Sequence, residues 1–246
     1  MKKIFTIIGI VLLLTSCDVL QGILINSGVV TKPGLTQQEV AQGLKEALTV
    51  GIANTVDIVS QLNGYYRNPE IKIPFPEEAI KVKEYCEKMG LKNQVTQFEE
   101  KLNRAAEEAA KEAKDVFVAA IRQMTINDAI NILKGSDDEA TQYLRKTTYN
   151  ILYDKFYPKV IAANEKVMLA KYWTPLADKY NKAMSITGGQ TVNTDLNDYV
   201  TKKALDGLFI MVAKEEQKIR QDPVARINDI LKKVFGSDLN PYNSKS

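Results

Sequence analysis

The sequence predicts an all-α fold: a single-domain multi-helix bundle around one buried helix at about residues 205–220. Apolar side chains recur every three or four residues along most of the chain, as they do on one face of an α-helix. No window alternates apolar and polar residues long enough to predict a sheet. Residues 208–213 contain no polar side chain, so a helix there has no face for water and must lie among other helices.

The composition is that of one compact domain without a strongly basic surface. Of the 246 residues, 45% are hydrophobic, which is enough for a large core. Lys and Arg number 33 and Asp and Glu number 30, and removing Lys2 and Lys3 with a leader leaves 31 basic residues. The remaining chain is nearly neutral, so we expect no nucleic-acid partner.

The absence of histidine from the sequence restricts the chemistry of the protein. Ser-His-Asp and Cys-His catalysis needs an imidazole, and most catalytic zinc sites use imidazole ligands. We therefore expect a protein that is not an enzyme of these kinds and that has no metal site and no cofactor. Any catalysis would depend on carboxylates, lysines or tyrosines.

The amino terminus has the layout of a bacterial lipoprotein signal peptide over residues 1–16. Lys2 and Lys3 precede an apolar run that is too short to span a membrane, and the run ends in Leu-Thr-Ser-Cys, which resembles a lipobox. We expect lipidation of Cys17. The alternative, an uncleaved anchor, would place Asp18 within the bilayer at a cost of about 2.5 to 3.5 kcal/mol.

These features predict an envelope protein that is attached to a membrane through the lipid on Cys17 and faces the periplasm. Asp18 resembles an inner-membrane retention signal, but the choice between inner and outer membrane stays open. The other cysteine, Cys86, is expected to be a small buried hydrophobic residue.

The folded domain is expected over residues 36–236, after a tether at 17–35 and before a tail at 237–246. Thr36 and Glu39 form a capping-box pattern that starts a first helix ending near residue 62. Three prolines in residues 65–76 exclude a helix and a central strand, so this stretch is predicted to be an extended strap with Ile71, Ile73 and Phe75 facing inward. Further helices are predicted at about 77–89, 93–123, 126–134, 137–156, 158–171, 175–184, 194–207, 205–220 and 222–235.

Five stretches resemble an uncharacterised family of exported Gram-negative proteins that is catalogued only as a domain of unknown function. They are NPEIKIP at 68–74, NRAAE at 103–107, DAINILKG at 128–135, AKEEQKIRQDPVAR at 213–226 and LKKVFG at 231–236. The resemblance covers nearly the whole domain and implies a helical fold and an envelope location. It implies no activity and no catalytic residues.

A polar cluster follows the buried helix and is the first candidate site. Glu216 and Arg220 are four residues apart on one helix, and Glu215, Asp222 and Arg226 flank them. Because the preceding turns are apolar, we expect partial burial, with Arg226 approaching the carboxylates. The cluster is either a clamp that locks the final helix or an anion or partner site built on Arg220 and Arg226.

A group of aromatic residues is the second candidate site. Its rings could line a cleft that stacks on a sugar or receives an acyl chain, or they could fill space between helices. The residues are Tyr149, Tyr153, Tyr157, Tyr172 and Trp173.

Three functions are compatible with these observations. The first is a non-catalytic envelope lipoprotein that binds a protein or another envelope component. The second is a carrier of a lipid or another apolar ligand between its helices. The third is a carboxylate-based hydrolase of periplasmic glycans, suggested by the acidic pairs at 107–108, 137–138 and 215–216, although adjacent residues on a helix point about 100° apart.

Overall fold

The computed structural model describes residues 36–166, 168–192, 196–222, 225–226 and 229–242. The predicted signal peptide, Cys17 and the tether lie outside these residues. One 3-10 turn, at Glu77–Ala79, precedes the second helix. The α-helices of the described chain are α1 Gln37–Val59, α2 Ile80–Lys88, α3 Lys92–Ala110, α4 Ala113–Gln123, α5 Ile126–Lys134, α6 Glu139–Lys166, α7 Leu169–Thr187, α8 Asn197–Gln221 and α9 Asp229–Phe235.

The predicted all-α class is confirmed, since the described residues contain helices and turns but no strand. The starts of α1 and α5 are also confirmed. Thr36 Oγ1 accepts a hydrogen bond from the Glu39 N–H at 3.2 Å, and the Glu39 carboxylate accepts one from the Thr36 N–H at 2.7 Å. Thr125 and Asp128 form the same reciprocal cap at the start of α5.

Two predicted helix boundaries are wrong because proline lies inside a helix at both. Pro158 is within α6 and Pro175 is within α7. A proline inside a helix costs about 3 kcal/mol. In α6 the buried stripe continues on both sides of Pro158, through Phe156 and Val160, so packing of the continuous stripe offsets that cost.

Two further boundaries differ from the prediction. The helix predicted at 93–123 is broken between Ala110 and Ala113, because α3 packs against α6, α7 and α8 whereas α4 packs against α1 and α6. The helices predicted at 194–207 and 205–220 are one continuous helix, α8, which passes through Gly207 without a break.

Helix α8 occupies the predicted central position and packs against α1, α3 and α6. Leu205 and Leu208 are fully buried, and Phe209 is 1% exposed. The expectation that no side of this helix meets water is wrong, because Ile210 is 42% exposed. Ile210 lies one turn before the exposed Lys214, on the side of α8 that faces away from the bundle.

The strap at 65–76 lies over the core with Ile71, Ile73 and Phe75 buried, as the alternation of its side chains predicts, and Tyr65 is buried as well. It is extended only over residues 72–76, because turns occupy 62–67 and 69–71. The side chain of Asn68 accepts a hydrogen bond from the Glu70 N–H at 3.1 Å, which is the local bond that favours a turn at Asn-Pro.

The packed chain extends past Phe235 and Gly236, where the sequence analysis places the end of the domain. Ser237 and Asn240 are buried, and the Asn240 amide donates to the backbone oxygens of Arg220 and Phe235. Among the helices of the described chain, none is long and apolar enough to cross a membrane.

Candidate functional site

The predicted pair Glu216 and Arg220 forms a buried ion pair on α8. Arg220 has no exposed surface, and the Glu216 carboxylate lies 2.9 Å from the Arg220 guanidinium. Burial raises the pKa of the Glu216 carboxyl, while the charge of Arg220 and hydrogen bonds from Ala140 and Thr141 oppose that shift. We call these two residues the α8 clamp.

The α8 clamp holds the connection between α5 and α6 at both of its ends. The Glu216 carboxylate accepts hydrogen bonds from the N–H groups of Ala140 and Thr141 at 2.9 and 2.8 Å, in the first turn of α6. The Arg220 guanidinium donates to the backbone oxygens of Leu133 and Ile132 at 3.0 and 2.6 Å, in the last turn of α5. The Glu216 carboxylate therefore satisfies two N–H groups that the start of α6 leaves without an intrahelical partner, and the Arg220 guanidinium binds two carbonyl oxygens at the end of α5.

Arg226 lies at the carboxyl end of α8. Its guanidinium donates to the backbone oxygens of Ile219 and Arg220, at 3.2 and 2.9 Å, and so caps the end of α8. Burial lowers the pKa of Arg226, against the attraction of Asp222. These bonds join the chain after α8 to the helix itself, as the clamp interpretation requires.

Glu215 and Asp222 have contacts of their own. Glu215 accepts a hydrogen bond from Asn54 of α1 at 3.2 Å. Asp222 ends α8, its N–H donates to the Lys218 oxygen, and its charge attracts Arg226. The structure thus joins Glu216 to Arg220 by an ion pair and Arg226 to Arg220 through the backbone.

The contacts of the predicted aromatic residues divide them into two groups. In the first, Tyr149 stacks on Phe209 at 6.3 Å between ring centroids, and Tyr153 stacks on Tyr157 at 5.8 Å. The Tyr153 hydroxyl donates to Asp198 at 2.7 Å, which raises the pKa of Tyr153 to about 12. These contacts join α6 to α8.

The second aromatic group lies on α7. Trp173 is 2% exposed and stacks on Phe98 of α3 at 4.8 Å between ring centroids. Tyr172 borders a cavity of about 240 Å³ that is also lined by Leu91 and Pro175. The contacts of Tyr149, Tyr153 and Trp173 are therefore those of side chains that fill space between helices, whereas Tyr172 borders a cavity, and these contacts do not place all five rings in one cleft.

Two buried polar residues of α3, Asn103 and Glu107, fasten the strap, and the sequence did not predict this role for either of them. The Asn103 amide binds both backbone groups of Ile73, accepting from the N–H at 2.8 Å and donating to the oxygen at 2.9 Å. The buried Glu107 carboxylate accepts from the N–H groups of Tyr65 and Tyr66 at 3.1 and 3.2 Å. Their role could have been predicted from the sequence, because they are polar residues on the otherwise apolar stripe of α3, beside Leu102, Ala106 and Ala110.

Arg104 joins Glu107 to the turn that precedes the strap. Its guanidinium lies 2.7 Å from the Glu107 carboxylate and donates to the Asn63 side-chain oxygen at 2.9 Å. Asn63 has a positive φ of 72°, and a side chain at Gly64 would place its Cβ 2.4 Å from the Val59 oxygen. This turn is therefore fixed both by its own backbone requirements and by α3.

The strap is also fastened along its length. Lys72 of the strap and Lys83 of α2 both reach Glu99 of α3, at 3.2 and 2.8 Å. Burial alone would raise the pKa of Glu99, but the hydrogen bonds and charges of the two lysines outweigh it and lower that pKa. At the start of the strap, the buried Tyr65 hydroxyl donates to the Ala204 oxygen of α8 at 2.6 Å, and burial raises the pKa of Tyr65 far above its ordinary value.

A concave surface lies at the end of α1, next to this fixed turn. It is a shallow depression of about 380 Å³ that is open to solvent, and two of its residues, Leu62 and Ile58, are 74% and 50% exposed. Arg67, another of its residues, is exposed and forms no ion pair with any described residue. We call it the distal surface, and it is formed by Ile58, Gln61, Leu62, Asn63, Gly64, Arg67, Asn68 and Pro69.

The acidic pairs considered for hydrolysis point to different partners. Glu107 binds the strap, whereas the neighbouring Glu108 pairs with Lys111 and Lys166. Asp138 accepts hydrogen bonds from Ser136 and Gln142 at the start of α6. Across the described ranges, no three acidic or cysteine side chains converge in a way that could hold a metal ion. Cys86 is buried, and its thiol donates to the Leu176 oxygen.

Comparison with known proteins gives one match. No curated protein and no solved structure matches the chain. A family model described as a protein of unknown function, DUF4197, matches residues 34–236. This range contains the strap, the residues of α3 that fasten it and the α8 clamp. The chain therefore belongs to the DUF4197 family, which confirms the resemblance that its sequence stretches indicate.

Proposed function

We propose that the protein is a non-catalytic, lipid-anchored module of the bacterial envelope that binds a protein partner through the distal surface. The observation that carries the proposal is the pair of exposed aliphatic side chains, Leu62 and Ile58, beside an open, shallow depression of about 380 Å³. Exposed aliphatic groups that line one concavity are typical of an interaction site, whereas single exposed ones need no explanation.

The rigidity of the distal surface supports a binding role. Arg104 holds Asn63, and Glu107 holds the N–H groups of Tyr65 and Tyr66, so the turn that shapes the depression is fixed before any partner arrives. A surface that is already ordered loses little conformational entropy on binding. Arg104 and Glu107 belong to one of the stretches that carry the family resemblance, 103–107, and Asn68 and Pro69 of the distal surface belong to another, 68–74.

The chemistry of the distal surface indicates the kind of partner. Leu62 and Ile58 would pack against an apolar side chain of the partner, and the guanidinium of Arg67 would donate hydrogen bonds to a carboxylate. The partner that fits is a protein segment with an aliphatic or aromatic residue close to an Asp, a Glu or a chain terminus.

The attachment to a membrane is part of the same proposal. The basic start, the short apolar run and the Leu-Thr-Ser-Cys ending support lipidation of Cys17 and exposure of the domain to the periplasm. Two alternatives have less support. A hydrolase needs two carboxylates that converge on one bond, and a carrier needs an enclosed apolar space. The acidic pairs diverge, and the larger cavities of the described chain are lined by exposed side chains such as Ile151 and Leu62.

Site-specific photo-crosslinking in living cells tests the partner surface. A photoreactive amino acid in place of Leu62 is expected to yield one protein adduct of defined size. The same probe in place of Ile186, which is 79% exposed at the end of α7, is expected to yield no such adduct.

A charge substitution makes the crosslinking test specific. Arg67→Glu is expected to abolish the adduct at position 62, and Lys146→Glu, an exposed lysine on α6, is expected to leave it unchanged. An adduct that survives Arg67→Glu, or one that forms equally from position 186, would contradict the proposed surface.

A further inference from the structure

A small cavity between the start of α3 and α7 is lined by positively charged side chains without a negative one. Its volume is about 240 Å³, and its polar lining consists of Gln94 and Gln97 of α3 and Lys171, Tyr172 and Lys179 of α7. Among the described residues that line it, none is acidic. An anionic ligand in this cavity would therefore meet two ammonium groups and no opposing carboxylate.

The two lysines of this cavity are not neutralised by the rest of the described chain. Lys171 and Lys179 are exposed, and neither forms an ion pair with any described residue. The one acidic residue in the sequence of α7, Asp178, does not line the cavity. Lys101 of α3 adds a third positive charge nearby, because its ammonium lies 5.8 Å from the centre of the Tyr172 ring. Hydrogen bonds from ammonium groups to a carboxylate are roughly twice as strong as those between neutral groups.

The remainder of the lining suits the ring of a sugar better than a bare anion. The Tyr172 ring borders the cavity, and an aromatic ring can pack against the C–H groups of a sugar. The amides of Gln94 and Gln97 are exposed, and each can both donate to and accept from sugar hydroxyls. The apolar part of the lining is formed by Leu91, Pro175 and Leu176. An inorganic anion would leave these aromatic and apolar groups without a contact.

The size of the cavity limits the bound group to about one ring. Pockets that enclose drug-sized ligands have volumes of roughly 300 to 1,000 Å³, and this cavity of about 240 Å³ is smaller. We propose that the cavity binds one carboxylate-bearing ring of an acidic glycan, with the carboxylate at Lys171 and Lys179 and the hydroxyls at the two glutamines. The cavity shares no residue with the distal surface, so the two proposals are independent.

Two kinds of sugar ring carry a carboxylate in a suitable form. A uronic acid carries it on the exocyclic carbon of the ring, whereas N-acetylmuramic acid carries it on a lactyl group that is linked through oxygen. Both present an anion beside ring hydroxyls or amides, which is the chemistry that the lining would bind. The two sources are distinguished by one probe for each, tetragalacturonate and the disaccharide of N-acetylglucosamine and N-acetylmuramic acid.

Calorimetric titration of the full-length chain with these two probes tests the site. At least one of them is expected to bind, and the methyl ester of that probe, which has the same ring without the negative charge, is expected to bind about tenfold more weakly or less. The double variant Lys171→Gln, Lys179→Gln is expected to weaken binding of the acidic probe by a similar factor. In nuclear magnetic resonance spectra, the probe is expected to shift the side-chain amide signals of Gln94 and Gln97.

A second double variant controls for the loss of charge. Lys146→Gln, Lys182→Gln removes two exposed lysines, of α6 and α7, that do not line the cavity, and it is expected to leave the affinity unchanged. Failure of both glycan probes to bind would overturn the proposal, as would equal weakening of binding in the two double variants. Inorganic phosphate or a tetraglutamate peptide that bound as tightly as the glycan probe would also overturn it, because the aromatic and amide groups would then contribute nothing.

Discussion

At the scale of single residues, the buried polar side chains of this protein bind the backbone of neighbouring segments. Arg220 caps the end of α5, Glu216 caps the start of α6, and Arg226 caps the end of α8. Asn103 binds the strap in the way that an adjacent strand would. A buried charge is costly unless it is paired and hydrogen-bonded, and both conditions hold at Glu216 and Arg220.

Removing one member of the α8 clamp should therefore destabilise the fold. Arg220→Met leaves the Glu216 carboxylate buried without its partner, which is expected to lower the free energy of unfolding by about 3 to 5 kcal/mol. In the double variant Glu216→Leu, Arg220→Met, the free energy of unfolding is expected to fall by less than the sum of the decreases in the two single variants. Urea unfolding monitored by circular dichroism measures the differences.

The same helix provides a matched control for the clamp. Asp198 and Lys202 also form an ion pair four residues apart, at 2.9 Å, but both side chains are more than half exposed. Lys202→Met is expected to change the free energy of unfolding by less than about 1 kcal/mol. If Arg220→Met lowers the free energy of unfolding as little as Lys202→Met does, Arg220 is not a structural clamp, and a binding role for it would gain support.

At the scale of elements, the strap and α8 fit together through a glycine. A Cβ at Gly207 would lie 2.8 Å from a ring carbon of Tyr65 and 3.0 Å from the Cβ of Ile71, so any side chain there would displace the strap. Gly51 of α1 is also a buried helical glycine, but its Cβ would meet Glu215 and Ile219 only at 3.4 and 3.5 Å.

Alanine at these two glycines should therefore have opposite effects. Alanine is more favourable than glycine inside a helix by about 1 kcal/mol, so Gly51→Ala is expected to raise the free energy of unfolding by part of that amount. Gly207→Ala is expected to lower the free energy of unfolding by about 1 to 3 kcal/mol, because overpacking against the Tyr65 ring outweighs the helix preference. Thermal and urea unfolding of both variants test this, and a stabilised Gly207→Ala would show that the strap does not pack closely on α8.

Local sequence patterns predicted which segments form helices more accurately than they predicted where those helices begin and end. The capping boxes at Thr36 and Thr125 were predictable, because all their partners lie within three residues. The continuity of α6 through Pro158 was not, because it depends on the packing of side chains such as Phe156 and Val160 against distant helices. The break between Ala110 and Ala113 also depends on distant contacts, because α3 and α4 pack against different helices and so run in different directions.

The candidate sites show the same division between local and distant contacts. The spacing of Glu216 and Arg220 predicted their ion pair, but their backbone partners, such as Leu133, are more than seventy residues away and leave no local signal. The distal surface was not predicted, because the exposure of Leu62 depends on which neighbours cover it.

At the scale of the whole molecule, the distal surface lies at the far end of the first helix from the predicted attachment point. It follows the carboxyl end of α1, whereas the chain enters that helix at Thr36. A helix of 23 residues is about 35 Å long, so a domain attached through residues preceding Thr36 would leave the distal surface available to a partner. This arrangement depends on attachment of the chain at Cys17.

The intact mass of the protein isolated from the membranes of the cells that produce it tests that attachment most directly. We expect a chain that begins at Cys17 and carries the mass of a diacylglyceryl group, and we expect Cys17→Ser to yield a chain without that added mass that is no longer processed at this position. A mature chain that retains residues 1–16, or that begins elsewhere without added lipid, would contradict the proposal of a lipid-anchored binding module.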